Sequence, residues 1–420
     1  MNKSLLFIAL AAVAGSAFSA PYTFNARQDA MGGAGVTSAN YLAAPFYNPA
    51  LLANYGETDD FGILLPVVGV EVFDKGDLVN KASDLSDDYD SYQNLYQDLS
   101  NGNNVNADSA NRFNTLSQKV KGELTDLQGA TGFAKAGAGL AVALPSSVLS
   151  SAVFVNGYAD VMAFSDVNMN DIKDVTEIVN GQTIIVSIPT DENNLSSQVV
   201  ALGASVTDFG LSLARSFDYN DIKWSVGASP KIQRIDMINY VAAATTDFDN
   251  FDSDQYTENK TTFNLDSGVT AEWKNGLMAG LAVKNMFKQE ISKQVNGVNA
   301  TYELSPVPTA SVAYKALGMF TVTGDVDLLA QKRFSALTGT NNTFNAGDDD
   351  LQMASVGAEF DLFHWAQLRA GYRHDLKGTQ SDALTAGFGL SPFDTFHFDV
   401  AGIYASNKEF GAVLQTALTF

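Results

Sequence analysis

The feature that most constrains this chain is a period of two that begins near Phe61 and runs to the last residue, Phe420. Phe320, Val322, Gly324, Val326 and Leu328 alternate with Met319, Thr321, Thr323, Asp325 and Asp327. Ala366, Leu368, Ala370 and Tyr372 alternate in the same way with Gln367, Arg369, Gly371 and Arg373. Successive side chains of a strand point to opposite faces, so each segment has one apolar face and one polar, often charged, face. About fourteen such segments can be drawn: 61–73, 132–145, 150–164, 198–217, 222–235, 260–274, 277–287, 305–316, 318–330, 351–363, 365–375, 380–390, 393–404 and 409–420. Most are longer than the ~5–6 residues usual in globular sheets and match the ~9–11 needed to cross a bilayer at a tilt.

The connections sharpen this. Long gaps (74–131, 165–197, 236–259, 288–304, 331–350) alternate with short ones (146–149, 218–221, 275–276, Leu317, His364, 391–392) until the last two odd gaps, which are also short. Long loops outside and tight turns facing the periplasm are the habit of outer-membrane barrels, and a soluble sandwich has no reason to keep such parity. The expected fold is an all-β, transmembrane antiparallel barrel of about fourteen strands, with residues 61–420 forming the barrel. The acidic clusters Asp84–Asp90, Asp247–Asp254 and Asp348–Asp350 fall in gaps assigned to the outside, where they meet lipopolysaccharide and its divalent ions. The final strand ends on Phe420, and a terminal aromatic there resembles the signal read by the barrel assembly machinery.

The start of the chain fits export. Lys3 precedes an apolar run, Leu5–Ala14, too short to span a bilayer, and small residues Ala17 and Ser19 follow. Residues 1–19 read as a signal peptide cut after Ser19. Forty-seven acidic against 25 basic side chains, a net charge of −22, argue against a nucleic-acid partner. The absence of cysteine excludes a thiol nucleophile, a thiolate metal site and a disulfide scaffold.

Residues 20–60 do not alternate. They carry the runs ARQDAMGGAG (Ala26–Gly35) and YNPALLA (Tyr47–Ala53). Gly32, Gly33 and Gly35 lack the spacing of a dinucleotide fingerprint and suit close backbone packing in a confined space. Asn48, Pro49 and Ala50 read as a helix start, with Asn48 as cap and Pro49 in the first turn. These two runs, followed by a barrel ending in Phe, resemble the FadL-type superfamily of outer-membrane transporters, and within it the TraF-like group. The resemblance implies fourteen strands and a hatch of about forty residues folded into the lumen, with Asn48, Pro49 and Ala50 in the hatch motif. The group bears a conjugal-transfer name, but a thioredoxin-like role does not follow, because the chain has no CxxC.

Other segments admit two readings each. Phe113, Leu116, Val120, Leu124 and Leu127 have helical spacing, with Asp108 or Ser109 as cap. Such a helix either lies over the mouth as a landing site for apolar ligands or packs against neighbouring loops. Asp166, Asn168, Asn170, Asp174 and Glu177 have the spacing of a calcium loop, although Asp171 replaces its glycine, and otherwise form a solvated polar loop. Asp325, Asp327, Glu359, Asp361, Arg369, Arg373, His397 and Asp399, with Lys223 and Lys231, are assigned to the lumen. They either brace the wall and hatch or line a path for a solute's head group. No catalytic constellation can be picked out, so an enzyme is not expected, and calcium is the one cofactor considered. The expectation is a monomeric protein of a Gram-negative outer membrane that passes hydrophobic or amphipathic, fatty-acid-like small molecules through a hatch-gated barrel. The alternative is a cell-surface interaction protein for conjugation, phage or secretion partners.

Overall fold

Lipid offers a backbone no hydrogen-bond partner, so a membrane-spanning sheet must close on itself. In the computed structural model this chain does so. The structure describes residues 23–56, 59–74, 76–244, 254–340, 349–362, 365–406 and 408–420. The signal segment 1–19 lies outside them.

In chain order the strands are β1 (Gly62–Phe73), β2 (Thr131–Leu144), β3 (Ser150–Asp166), β4 (Val175–Val179), β5 (Gln182–Val186), β6 (Gln198–Tyr219), β7 (Ile222–Ala243), β8 (Thr257–Trp273), β9 (Leu277–Lys284), β10 (Gln289–Val295), β11 (Val298–Leu304), β12 (Val307–Ala316), β13 (Phe320–Asp327), β14 (Phe334–Thr338), β15 (Met353–Leu362), β16 (Ala366–Asp375), β17 (Ala383–Leu390), β18 (Phe396–Ser406) and β19 (Glu409–Thr419). Fourteen of them form a closed barrel in the order β1-β19-β18-β17-β16-β15-β13-β12-β9-β8-β7-β6-β3-β2. The seam is the antiparallel pair of β1 and β19, from Gly62 opposite Thr419 to Phe73 opposite Glu409. Phe420 extends the seam: its carbonyl accepts from Asp60 N (2.7 Å) and Phe61 N (3.0 Å), and its ring lies 6.2 Å from that of Phe61.

Local chemistry explains two irregularities. The register of β1 shifts between Leu64 and Val67, with Pro66 in the shift and on the outer face. Proline has no N–H for the ladder, and a bulge removes the need for one. The extra residue also flips parity, which turns Glu71 inward. At the short-turn end, Asn220 and Asp221 both adopt positive φ (52° and 62°), so the expected 218–221 gap contracts to a two-residue turn.

The long-loop end is more ordered than the alternation suggests. β6 and β7 run 22 residues each, and β3 runs 17. They stand above the rest of the rim and are covered on both sides. On the inside, the small sheet of β10, β11 and β14 packs Ile291, Val298, Tyr302 and Phe334 against Tyr158, Met162, Leu202 and Ile235. Arg333, fully buried, reaches Asp160 of β3 at 2.9 Å. On the outside sits a pair of helices. With the two short plug helices α1 (Ala26–Asp29) and α2 (Ala44–Tyr47) coming first in the chain, these are α3 (Leu78–Ser100) and α4 (Ala107–Leu127).

The cap of α4 is Asn106 rather than Asp108 or Ser109. Its side chain accepts from Ser109 N, and Ser109 Oγ accepts from Asn106 N, a reciprocal box. The stripe Phe113, Val120, Leu124 and Leu127 is buried against α3, Ile184 and Ile188. Tyr92 stacks on Phe113 at 5.0 Å and donates its hydroxyl to Ile188 O at 2.7 Å. The helix therefore packs against neighbouring loops and is not a landing strip over the mouth.

Deleting Phe420 removes the last seam bonds and should slow assembly, seen as a loss of heat-modifiable, folded protein. Between the helices, Lys119 bonds Asp88, and burial together with the neighbouring Asp88 carboxylate pushes Glu123 up to about 7. A carboxyl raised on folding stabilises below its ordinary range, and that contribution is lost as pH rises through about 7. Protease added to intact cells should therefore cut the 101–106 link faster at pH 8 than at pH 5 and spare Asn220–Asp221. Glu123→Gln should abolish the pH difference.

Candidate functional site: the plug and the cavity it closes

Residues 23–56 fill the lumen, and nearly all are buried. Asn25 caps α1, accepting from Gln28 N. Gly32 and Gly33 then turn the chain with φ of 74° and 89°, a region that other residues rarely enter. Gly35 lies beneath the Tyr47 ring. Asn48 caps a 3-10 helix, Pro49–Ala53: its Oδ1 accepts from Ala50 N (3.0 Å) and its Nδ2 donates to Val36 O (2.9 Å). The motif thus ties two plug segments together. The wall yields where this happens: a Cβ on Gly268 of β8 would stand 1.8 Å from Asn48 Oδ1. Strand glycines such as Gly268 admit the plug.

Charged wall residues hold the plug. Arg27 of α1 forks onto Glu359, with Nε–Oε2 and Nη2–Oε1 both 2.8 Å, and gives a third bond to Ser38 O. Glu359 also accepts from Arg369 (2.6 Å), which reaches Asp399 (2.5 Å). Asp325 accepts the N–H groups of Gly35 (2.8 Å) and Val36 (2.9 Å) and the Ser311 hydroxyl. Ser311 Oγ and Thr37 Oγ1 are 2.6 Å apart. Removing one partner from a buried set of this kind typically costs ~3–5 kcal/mol, because a charge is left unmatched.

The other residues assigned to the lumen serve separately. Arg373 forks onto Glu71 at 3.1 Å, and Asp327 accepts from Thr309 (2.7 Å) and Met353 N (3.1 Å). Asp361 accepts from Gln367, while His397 lies between the hydroxyls of Ser391 and Thr419. Lys231 sits between Asp208 (2.9 Å) and Asp266 (3.0 Å). Glu71, Lys135, Lys284 and Ser311 were not singled out by sequence. The Pro66 bulge hides Glu71, and nothing local marks the others.

Towards the long-loop end the plug closes a cavity of about 110 Å³. Phe24, Val36, Phe46, Val307 and Met353 supply apolar walls, and Lys135, Lys284 and Arg373 stand with Asp29, Glu71, Asp325 and Asp327 as its charges. Lys284 Nζ donates to Phe46 O, and Lys135 Nζ stands 5.8 Å from the Phe73 ring centre.

Each residue of the calcium reading has a partner within the protein. Asp166 accepts from Gln198, Asn168 from Asn170 N, Asn170 from Lys173, Asp174 from Lys121, and Glu177 from Tyr96. Among the described residues no three His, Cys, Asp or Glu side chains converge as a metal site. Asp171, at the glycine position of that reading, accepts from Ser196 N, Ser197 N and Ser197 Oγ. Asp247, Asp249 and Asp252 lie outside the described residues.

Gly268→Ala and Asn48→Ala should each loosen the plug by about 0.5–2 kcal/mol and leave the barrel folded. Because both break one contact, the ion leak of the double variant in planar bilayers should match the larger single effect rather than their sum.

No curated protein matches the chain. Among solved structures, the Ralstonia pickettii toluene transporter TbuX superposes with a TM-score of 0.53 at 12% identity, covering 95% of this chain and 99% of TbuX. The P. putida toluene transporter TodX gives 0.50 at 10% identity, covering 96% and 99%. At such identities the likeness is one of fold alone. The family described as F plasmid transfer operon, TraF, protein matches residues 45–327, well over half of the sequence, and the chain belongs to that TraF family.

Proposed function

We propose that this protein sits in a Gram-negative outer membrane, with its long loops outside, and passes small amphipathic molecules through the barrel. The observation that carries the reading is the luminal cavity, apolar at Phe24, Phe46 and Val36, with Lys135 and Lys284 on its wall beside the acidic Asp29, Glu71, Asp325 and Asp327. An anionic head group fits the two ammonium groups, and an apolar tail fits the rings. The cavity holds a head group but not a long solute, so passage requires the plug to shift. TbuX and TodX are toluene transporters, which supports an apolar cargo in this fold. The mixed charge of this lumen favours amphiphiles over plain hydrocarbons.

The rival reading, a surface contact protein, draws on Val175 and Ile178, which are 51% and 78% exposed at the long-loop end. Proteoliposomes separate the two. Octanesulfonate keeps its charge and crosses lipid slowly unaided. The protein should speed its uptake well above empty liposomes, and Lys135→Gln with Lys284→Gln should weaken it about tenfold. Flux equal to that of empty liposomes would remove the transport reading and leave the surface one.

A further inference from the structure

A second cavity, of about 160 Å³, lies on the short-turn side of the plug, lined by Arg27, Thr37, Ser38, Glu272, Lys315 and Asp361. Val36 lines the first cavity, whereas the next two residues, Thr37 and Ser38, line the second. One turn of chain, closed by Ala39 N donating to Gly35 O at 3.0 Å, thus lies between the two cavities. All four side chains of the turn, Val36, Thr37, Ser38 and Ala39, are buried.

Resting on the transport reading above, we infer that the turn 35–39 is the partition on the route, and that the second cavity is an exit site for the solute's charged end. Its lining offers both signs of charge, from Arg27 and Lys315 against Glu272, Glu359 and Asp361, and so matches a small ionic head group rather than an alkyl chain. The partition has its own latch. Asp325 holds the amides of Gly35 and Val36, Ser311 meets Thr37, and Arg27 holds Ser38 O. Asn48 Nδ2 also holds Val36 O, so freeing the turn breaks that bond too, while the neighbouring plug segments keep anchors of their own: Gly32 bonds Thr385, and Phe46 O accepts from Lys284. Displacing the turn alone would join the two cavities while the remaining anchors keep the plug in the lumen.

The absence of cysteine in the chain makes this directly testable. Thr37→Cys with Ser311→Cys places two thiols where the hydroxyl oxygens are 2.6 Å apart, so a disulfide would lock the turn to the wall. Octanesulfonate flux into proteoliposomes should fall to the level of empty liposomes when the pair is oxidised and recover on reduction. Asp325→Ala, which frees two amides, should raise flux about tenfold. Heat-modifiable migration checks that each variant is folded. Equal flux through oxidised and reduced protein, with wild type active, would overturn the partition and leave the transport reading standing. No flux through wild type or any variant would overturn both.

Discussion

Every feature of this protein depends on the closing pair of β1 and β19. Without that seam two strands would present rows of unmatched N–H and C=O groups to hydrocarbon, each a cost of several kcal/mol. With it, the wall satisfies itself and owes nothing to the lumen. The interior is then free to hold charge. It also explains how a strand carrying Pro66 is tolerated beside the seam: the bulge removes one ladder position and the register resumes above it.

A closed wall leaves the plug with the opposite problem. Residues 23–56 contain little regular structure, so many of their backbone groups cannot pair within the segment. The wall supplies the missing partners as side chains: Asp325 for two amides, Thr385 for Gly32 N, Gln415 for Ala26 N and Lys284 for a carbonyl. Charged lumen residues are therefore fastenings first. A path for solute arises in the spaces that these fastenings leave, which is why the cavities are small and ringed by charge.

The two ends of the barrel solve different problems. At the short-turn end, positive-φ pairs such as Asn220–Asp221 reverse the chain in two residues. At the long-loop end, β3, β6 and β7 become a sheet with apolar cover on both faces, helices outside and a three-stranded sheet inside. Buried on both sides, these tips lose the alternation of the strands below them.

That loss marks the boundary of what could be read in advance. Strand number, parity of the connections and the inward direction of Asp325, Glu359, Arg369 and Arg373 follow from a period of two, which is a local property of the chain. The Asn48–Pro49 start is local too, since a cap and its turn are adjacent. The upper half of β7 was missed because its residues are covered on both faces. Helix α3 was missed because its buried side relies on Tyr89 and Tyr92 set among acidic and polar residues. Arg27 meeting Glu359, Asp325 meeting the Gly35 and Val36 amides, and Thr37 meeting Ser311 join residues some 270 to 330 positions apart. Such contacts have no sequence period. They come into being only when the barrel closes and sets the plug against one particular stretch of wall.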